Sequence, residues 1–298
     1  MKSSRTGIAL LITVMFVIVI TVAIGYALKQ INKASQYVEQ ETMLYQNFVF
    51  VDDVLNLLNG ATELQDLIKD EAPEDLYTFL SSSGFITFEH QGVRLVLHIT
   101  SARREFCINQ MTKDQEEYLY DYLGRYNVRG EYIDILKDSI SGIKEDNSYF
   151  TRLFEEQPEL FRDYIASKKH LKKLNDFYKK EYRDDTLDVI DFDNLFSYAH
   201  DDNVSIDLNY ATPQVWELLT GMDVSQAEVF GSGENIYKSV DDLQLNEEQI
   251  KRLNKFSYSF FEPYLQVKMD IIKDNFISHI SFEYSIKDKK GYNFVYEI

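Results

Sequence analysis

Residues able to do chemistry are plentiful in this 298-residue chain, but few stand where chemistry needs them. Its five histidines, His90, His98, His170, His200 and His279, lie far apart, and no G-x-x-x-x-G-K-[ST], G-x-S-x-G or H-E-x-x-H run occurs. The one cysteine, Cys107, sits between Phe106 and Ile108. That excludes an intramolecular disulfide and a cysteine zinc site, and the apolar neighbours predict a buried structural thiol. Gly231-Ser232-Gly233 follows a helical pattern rather than a strand and reads as a linker, not a phosphate cradle. Asp184-Asp185, Asp188, Asp191, Asp193 and Asp201-Asp202 supply hard oxygens, but none falls in a loop with the central glycine and distal glutamate of an EF-hand. They read as a solvated acidic face. Taken together, these residues predict a protein that is not an enzyme.

The elements that must carry these residues begin with a sharp division of charge. The chain has 31 Lys and Arg against 49 Asp and Glu, a net charge of -18. Residues 1–33 hold four basic residues, Lys2, Arg5, Lys29 and Lys33, and no carboxylate, so the remainder carries 27 basic residues against all 49 acidic ones, a net -22. A body this acidic repels phosphate backbones, and no nucleic-acid partner is expected. At 45% hydrophobic and 27% charged, with 21 Tyr and 20 Phe, the whole chain has the make-up of one large or two modest folded domains with real cores.

From Ile8 to Leu28 no charge interrupts 21 residues. At helical rise they span about 31 Å, the thickness of a bilayer's hydrocarbon, which predicts a membrane-spanning helix at 8–28. The run is too long for a signal peptide's apolar core and ends without Ala-x-Ala. Lys2 and Arg5 place the N-terminus on the cytoplasmic side and the body outside. An apolar stripe then continues through Ile31, Ala34, Val38, Thr42, Tyr45 and Val49, without Pro or Gly before Gly60. Residues 29–59 thus extend the same helix, to about 75 Å in all.

The leader at 1–7, Met-Lys-Ser-Ser-Arg-Thr-Gly, ends in glycine directly against the apolar block. A charged leader ending in Gly, followed by a long half-apolar helix, resembles the type IV pilin family. The resemblance implies cleavage between Gly7 and Ile8 by a prepilin peptidase. That family usually has glutamate at mature position five, where this chain has Ile12. In its opening, Gly-Ile-Ala-Leu-Leu-Ile, the chain is similar to the minor pseudopilin K family of type II secretion systems, which lacks the glutamate too.

The body reads as strands around helices. A hairpin is expected over 85–99, with Val93, Leu95, Leu97 and Ile99 on one face and Gln91-Gly92 at the turn. A short strand follows at Arg104–Asn109, completing a first α+β part at 60–111. From 112 to 200 the apolar spacing is helical, through Leu119, Tyr122, Leu123 and Tyr126, then Ile133, Leu136 and Ile140, then Leu171, Leu174, Phe177 and Tyr178. This segment reads as an α-helical insertion. At 261–298 alternation predicts an antiparallel meander, with Leu265, Val267, Met269 and Ile271, then Ile280, Phe282, Tyr284 and Ile286, then Tyr292, Phe294 and Tyr296. The expected class is α+β: a pilin-like N-terminal helix packed on an antiparallel sheet, with a large helical insertion.

Residues 201–260 predict a small helical unit. Thr212 suits an N-cap, Pro213 the first helical position and Gly221 the stop; a second helix is expected to open at Ser225-Gln226-Ala227-Glu228 and a third at Asn246-Glu247-Glu248-Gln249. Short helices around a glycine also build DNA-gripping hairpins, but Gly221-Met222-Asp223 puts a carboxylate where phosphate would approach. Asp207, Asn209, Ala211 and Thr212, followed by Val215-Trp216-Glu217-Leu218-Leu219, resemble the "N-x-N-T-A... V-L-x-x-L" signature of the K pseudopilins, with Asp207 in place of the first Asn.

The resemblance implies a minor pseudopilin at the tip of the secretion pseudopilus, single-pass in the inner membrane with its body in the periplasm. It implies I-type and J-type minor pseudopilins and the inner-membrane secretion platform as partners, beside the prepilin peptidase. It implies no required cofactor, but a calcium site in the helical domain, for which Asp138, Glu145 and Asp146 are the matching positions and Ile140 stands where a further Asp is expected. Two other readings stay open: a minor pilin of a type IV pilus, and a periplasmic binding or sensor domain on an uncut anchor.

Overall fold

A computed structural model describes residues 44–69, 73–90, 92–199, 204–233, 235–273 and 276–297. The leader, the 8–28 span and most of the amphipathic continuation, with Gly7, Ile8 and Ile12, lie outside them. Among the described residues no helix is long and apolar enough to cross a membrane. The chain divides into two compact units, Met1–Leu57 and Leu58–Ile298.

The described part of the first unit is helix, which continues to residue 60 (α1, 44–60). Its buried positions are Asn47, Val51 and Val54, continued by Leu58, while Tyr45 and Val49 are exposed. The run Phe48-Val49-Phe50-Val51 is apolar on every side, so spacing alone could not choose among the faces.

In the second unit, α2 (Thr62–Leu67) and α3 (Pro73–Ser83) precede a five-stranded antiparallel sheet in the order β1-β2-β7-β8-β9. Its strands are β1 (Phe85–His90), β2 (Val93–Ser101), β7 (Tyr264–Lys273), β8 (Phe276–Ser285) and β9 (Lys290–Glu297). The hairpin pairs Phe85 with His98 and His90 with Val93, around Gly92 at a φ of 77°. Leu97 and Ile99 of β2, Leu265, Val267, Met269 and Ile271 of β7, and Ile280, Phe282 and Tyr284 of β8 are buried on one face, as alternation requires. β9 is looser: Phe294 is 38% exposed, and a bulge interrupts its pairing between Ser281 and Glu283. Residues 59–65 lie against β8, with the Tyr284 hydroxyl donating to Asn59 Oδ1 at 2.8 Å and Gln65 Nε2 to the Ile286 carbonyl at 3.4 Å.

β2 and β7 are neighbours, with Ser101 opposite Leu265. Everything from 102 to 263 therefore leaves and re-enters the sheet at one place and forms a helical head. Its helices are α4 (Lys113–Arg125), α5 (Glu131–Ile140), α6 (Leu153–Glu156), α7 (Lys168–Tyr182), α8 (Pro213–Thr220), α9 (Val224–Gly231) and α10 (Glu247–Leu253). One apolar core runs from Phe106 to Phe256 and joins the 112–200 and 201–260 segments that spacing alone kept apart. Leu119, Tyr122, Ile133, Leu136, Leu171, Leu174, Phe177 and Tyr178 are buried in it as expected.

Two short parallel ladders close the neck of the head: β3 (Phe106–Cys107) beside β4 (Phe196–Ser197), and β5 (Ile206–Asp207) beside β6 (Tyr258–Ser259). The strand expected over 104–109 shrinks to β3, because Ile108–Gln110 turn into a 3-10 helix. Cys107 is buried, its thiol 3.3 Å from the Ala199 carbonyl, and burial pushes its pKa up, as suits an inert structural thiol.

Candidate functional site

The signature stretch ties together the segments by which the head leaves β2 and re-enters β7. Asp207 closes β5 and is fully buried. Its amide donates to the Arg103 carbonyl at 2.8 Å; its Oδ1 accepts from the Asn209 amide at 3.0 Å and its Oδ2 from the Glu262 amide at 2.9 Å. Asn209 Nδ2 donates to the carbonyls of Phe260 at 2.8 Å and Tyr237 at 3.0 Å, and its Oδ1 accepts from the Tyr237 amide at 2.7 Å. Ala211 fills the core behind them. The Thr212 hydroxyl donates to the Asn194 carbonyl and accepts from the Val215 amide at 3.2 Å, so it caps α8 and ties it to the preceding loop at once. These four residues thus bind segments 103–104, 194, 237 and 260–262 together.

Their polar atoms are consumed in doing so, and the joint has the chemistry of a fastener rather than of a reacting site. Burial pushes the Asp207 carboxyl up to about 7, against the pull of its two amide donors. Next to it, Arg103 donates to Glu283 Oε2 at 2.5 Å, both side chains buried, and its guanidinium lies 4.0 Å from the centre of the Tyr264 ring. Arg103 thereby ties the head to β8. Nothing in the sequence signalled this pair, since its partners are 180 residues apart and Glu283 sits in a strand whose alternation marked it as outward-facing.

The capping expectations in the head are met at Thr212-Pro213, at Gly221 with a φ of 73°, and at Asn246 with Gln249. α9 differs: Asp223, not Ser225, caps it, accepting from the Gln226 amide at 2.9 Å. Gly231 is no linker either. It ends α9 against Pro213, where an added Cβ would stand 2.8 Å from the Pro213 nitrogen. The end of α8 is held by two arginines: Arg125 donates to the carbonyls of Gly221 at 2.8 Å and Met222 at 2.9 Å, and Arg252 to the Leu218 carbonyl at 2.9 Å and to Asp121 at 2.5 Å.

The three candidate calcium ligands do not converge. Asp138 is fully buried in the last turn of α5, and both its oxygens already accept hydrogen bonds, Oδ1 from the Phe150 amide at 2.9 Å and Oδ2 from the Thr151 amide at 2.8 Å and hydroxyl at 2.7 Å. Asp146 is exposed and accepts from the Ser148 amide at 3.1 Å; Glu145 is exposed beside it. Among the described residues no group of three or more His, Cys, Asp or Glu is arranged to hold a metal ion. The donor set at 138–146 therefore does not fit calcium, which takes six to eight oxygens.

No family model and no curated protein matches the chain. Among solved structures it is similar to a chain of the GspK-GspI-GspJ complex from the type 2 secretion system of enterotoxigenic Escherichia coli. The TM-score is 0.53 and the identity 14%, over 87% of this chain and 97% of that one. By this likeness the chain has a GspK-like pseudopilin fold.

Proposed function

We propose that this protein is a minor pseudopilin of a type II secretion system, a structural subunit rather than an enzyme, which sits at the pseudopilus tip with I-type and J-type partners. The observation that carries the reading is the fold likeness over 87% of the chain to the complex that those three components form in enterotoxigenic E. coli. The head adds to it. Residues 102–263 emerge from between two adjacent strands as one body, and a body of that size would block addition of a further subunit. The signature residues, engaged in tying together the segments at the neck of the head, and the Arg103–Glu283 pair that ties the head to β8 suit a protein whose work is to present a rigid surface.

On this reading the chain is cleaved between Gly7 and Ile8, anchored in the inner membrane by 8–28 and exposed to the periplasm, with Ile12 in place of the glutamate of fibre-forming subunits. Mass spectrometry of the protein extracted from membranes tests the processing step. The expected mature N-terminus is Ile8, and Gly7→Leu abolishes the cut. An intact leader on the assembled protein contradicts it and favours a permanently anchored domain.

A further inference from the structure

The loop that joins α5 to α6 holds the Lys144 ammonium, with two further cations on its aromatic rings: Lys137 Nζ lies 4.7 Å from the centre of the Phe150 ring, and Arg162 lies 5.7 Å from that of Tyr149 and donates to its hydroxyl at 3.4 Å. Lys144 Nζ donates to the Ser148 carbonyl at 3.1 Å and lies 4.0 Å from Asp138 Oδ1. It stands 5.0 Å from the centre of the Tyr149 ring and 5.1 Å from that of Phe150. A carbonyl, a buried carboxylate and two aromatic faces all attract a cation. The side chain is 23% exposed, so the attraction is only partly screened by solvent. The same residue closes the loop through its backbone: the Lys144 amide donates to the Tyr149 hydroxyl at 3.0 Å, which donates to the Gly142 carbonyl at 3.1 Å.

We infer that the Lys144 ammonium, the cation of the 141–151 loop that approaches the buried Asp138 carboxylate, orders the loop in place of a divalent metal. A calcium ion would have to lie about 2.3–2.6 Å from an Asp138 oxygen. There it would displace the Phe150 or Thr151 donors and meet the Lys144 charge at close range. Lys144 also meets the need a metal would serve, because it neutralises a carboxylate that is fully buried. Asp146 and Glu145, left outside this cage, are exposed carboxylates of the loop surface.

The inference stands on the loop's own contacts and not on the pseudopilin reading, so either can fail without the other. Amide hydrogen exchange on the full-length protein, followed at Phe150 and Thr151, tests it. In the wild type, exchange there is expected to be the same in EDTA and in millimolar calcium. Lys144→Met speeds it by about tenfold or more, and Lys144→Arg, which keeps the charge, stays near wild type. Slower exchange of the wild type in calcium overturns the inference, and so does protection in Lys144→Met equal to wild type. The comparison in EDTA and calcium uses the wild type alone and decides the matter even if Lys144→Met does not fold.

Discussion

At the scale of the residue, Asp207 is pulled two ways: its two amide donors favour the carboxylate, while complete burial favours the acid and prevails, setting its pKa at about 7. The sign of its effect on stability follows. Between about pH 4 and about pH 7 the folded protein holds a proton that the unfolded chain has released, so the stabilising contribution is complete at the acid end and is lost as pH rises through about 7. Denaturant midpoints compared across this window should fall with pH in the wild type relative to Asp207→Asn, by on the order of 4 kcal/mol in all. The Asn side chain keeps the acceptor for the Asn209 amide and cannot titrate. Curves that run parallel would refute the assignment. The Arg103–Glu283 pair makes a second prediction at this scale. Arg103→Met or Glu283→Leu alone strands a buried charge and costs about 3–5 kcal/mol, whereas the double variant costs less than either, because removing both charges leaves neither unpaired.

At the scale of the element, two glycines in helices of the head should respond oppositely to alanine. An added Cβ at Gly231 would lie 2.7 Å from Pro213 Cδ, so Gly231→Ala forces α9 away from the start of α8 and should cost about 1–3 kcal/mol. Gly124 in α4 has nothing within 4 Å of that position, and Gly124→Ala should gain up to about 1 kcal/mol through helix propensity. Thermal melts of both variants check the pair. What was legible in the sequence divides along similar lines. Capping and alternation are local codes, and they gave both ends of α8, the start of α10, the hairpin and the three strands of the meander. The cap of α9 was misplaced because Asp223 and Ser225 both suit the role, and only the backbone path decides between them. The parallel ladders β3/β4 and β5/β6 were invisible, since two-residue strands carry no period.

At the scale of the whole molecule, the pairing of β2 with β7 decides the architecture, and no local pattern encodes it. Period-two alternation gave each strand its buried face but not its neighbour. Once the two strands are joined, the helical segments become one head with one core, and the residues at its neck, Arg103, Asp207, Asn209 and Thr212, become its fasteners. The signature residues were therefore found by resemblance, while their job became visible only with the long-range contacts in place. The central claim is that this head caps a pseudopilus beside two specific partners. Co-purification of the full-length chain from membranes with I-type and J-type minor pseudopilins tests it most directly: the account predicts a ternary complex that persists through size exclusion, and a chain that elutes alone, or only with minor pilins of a type IV pilus, would contradict it.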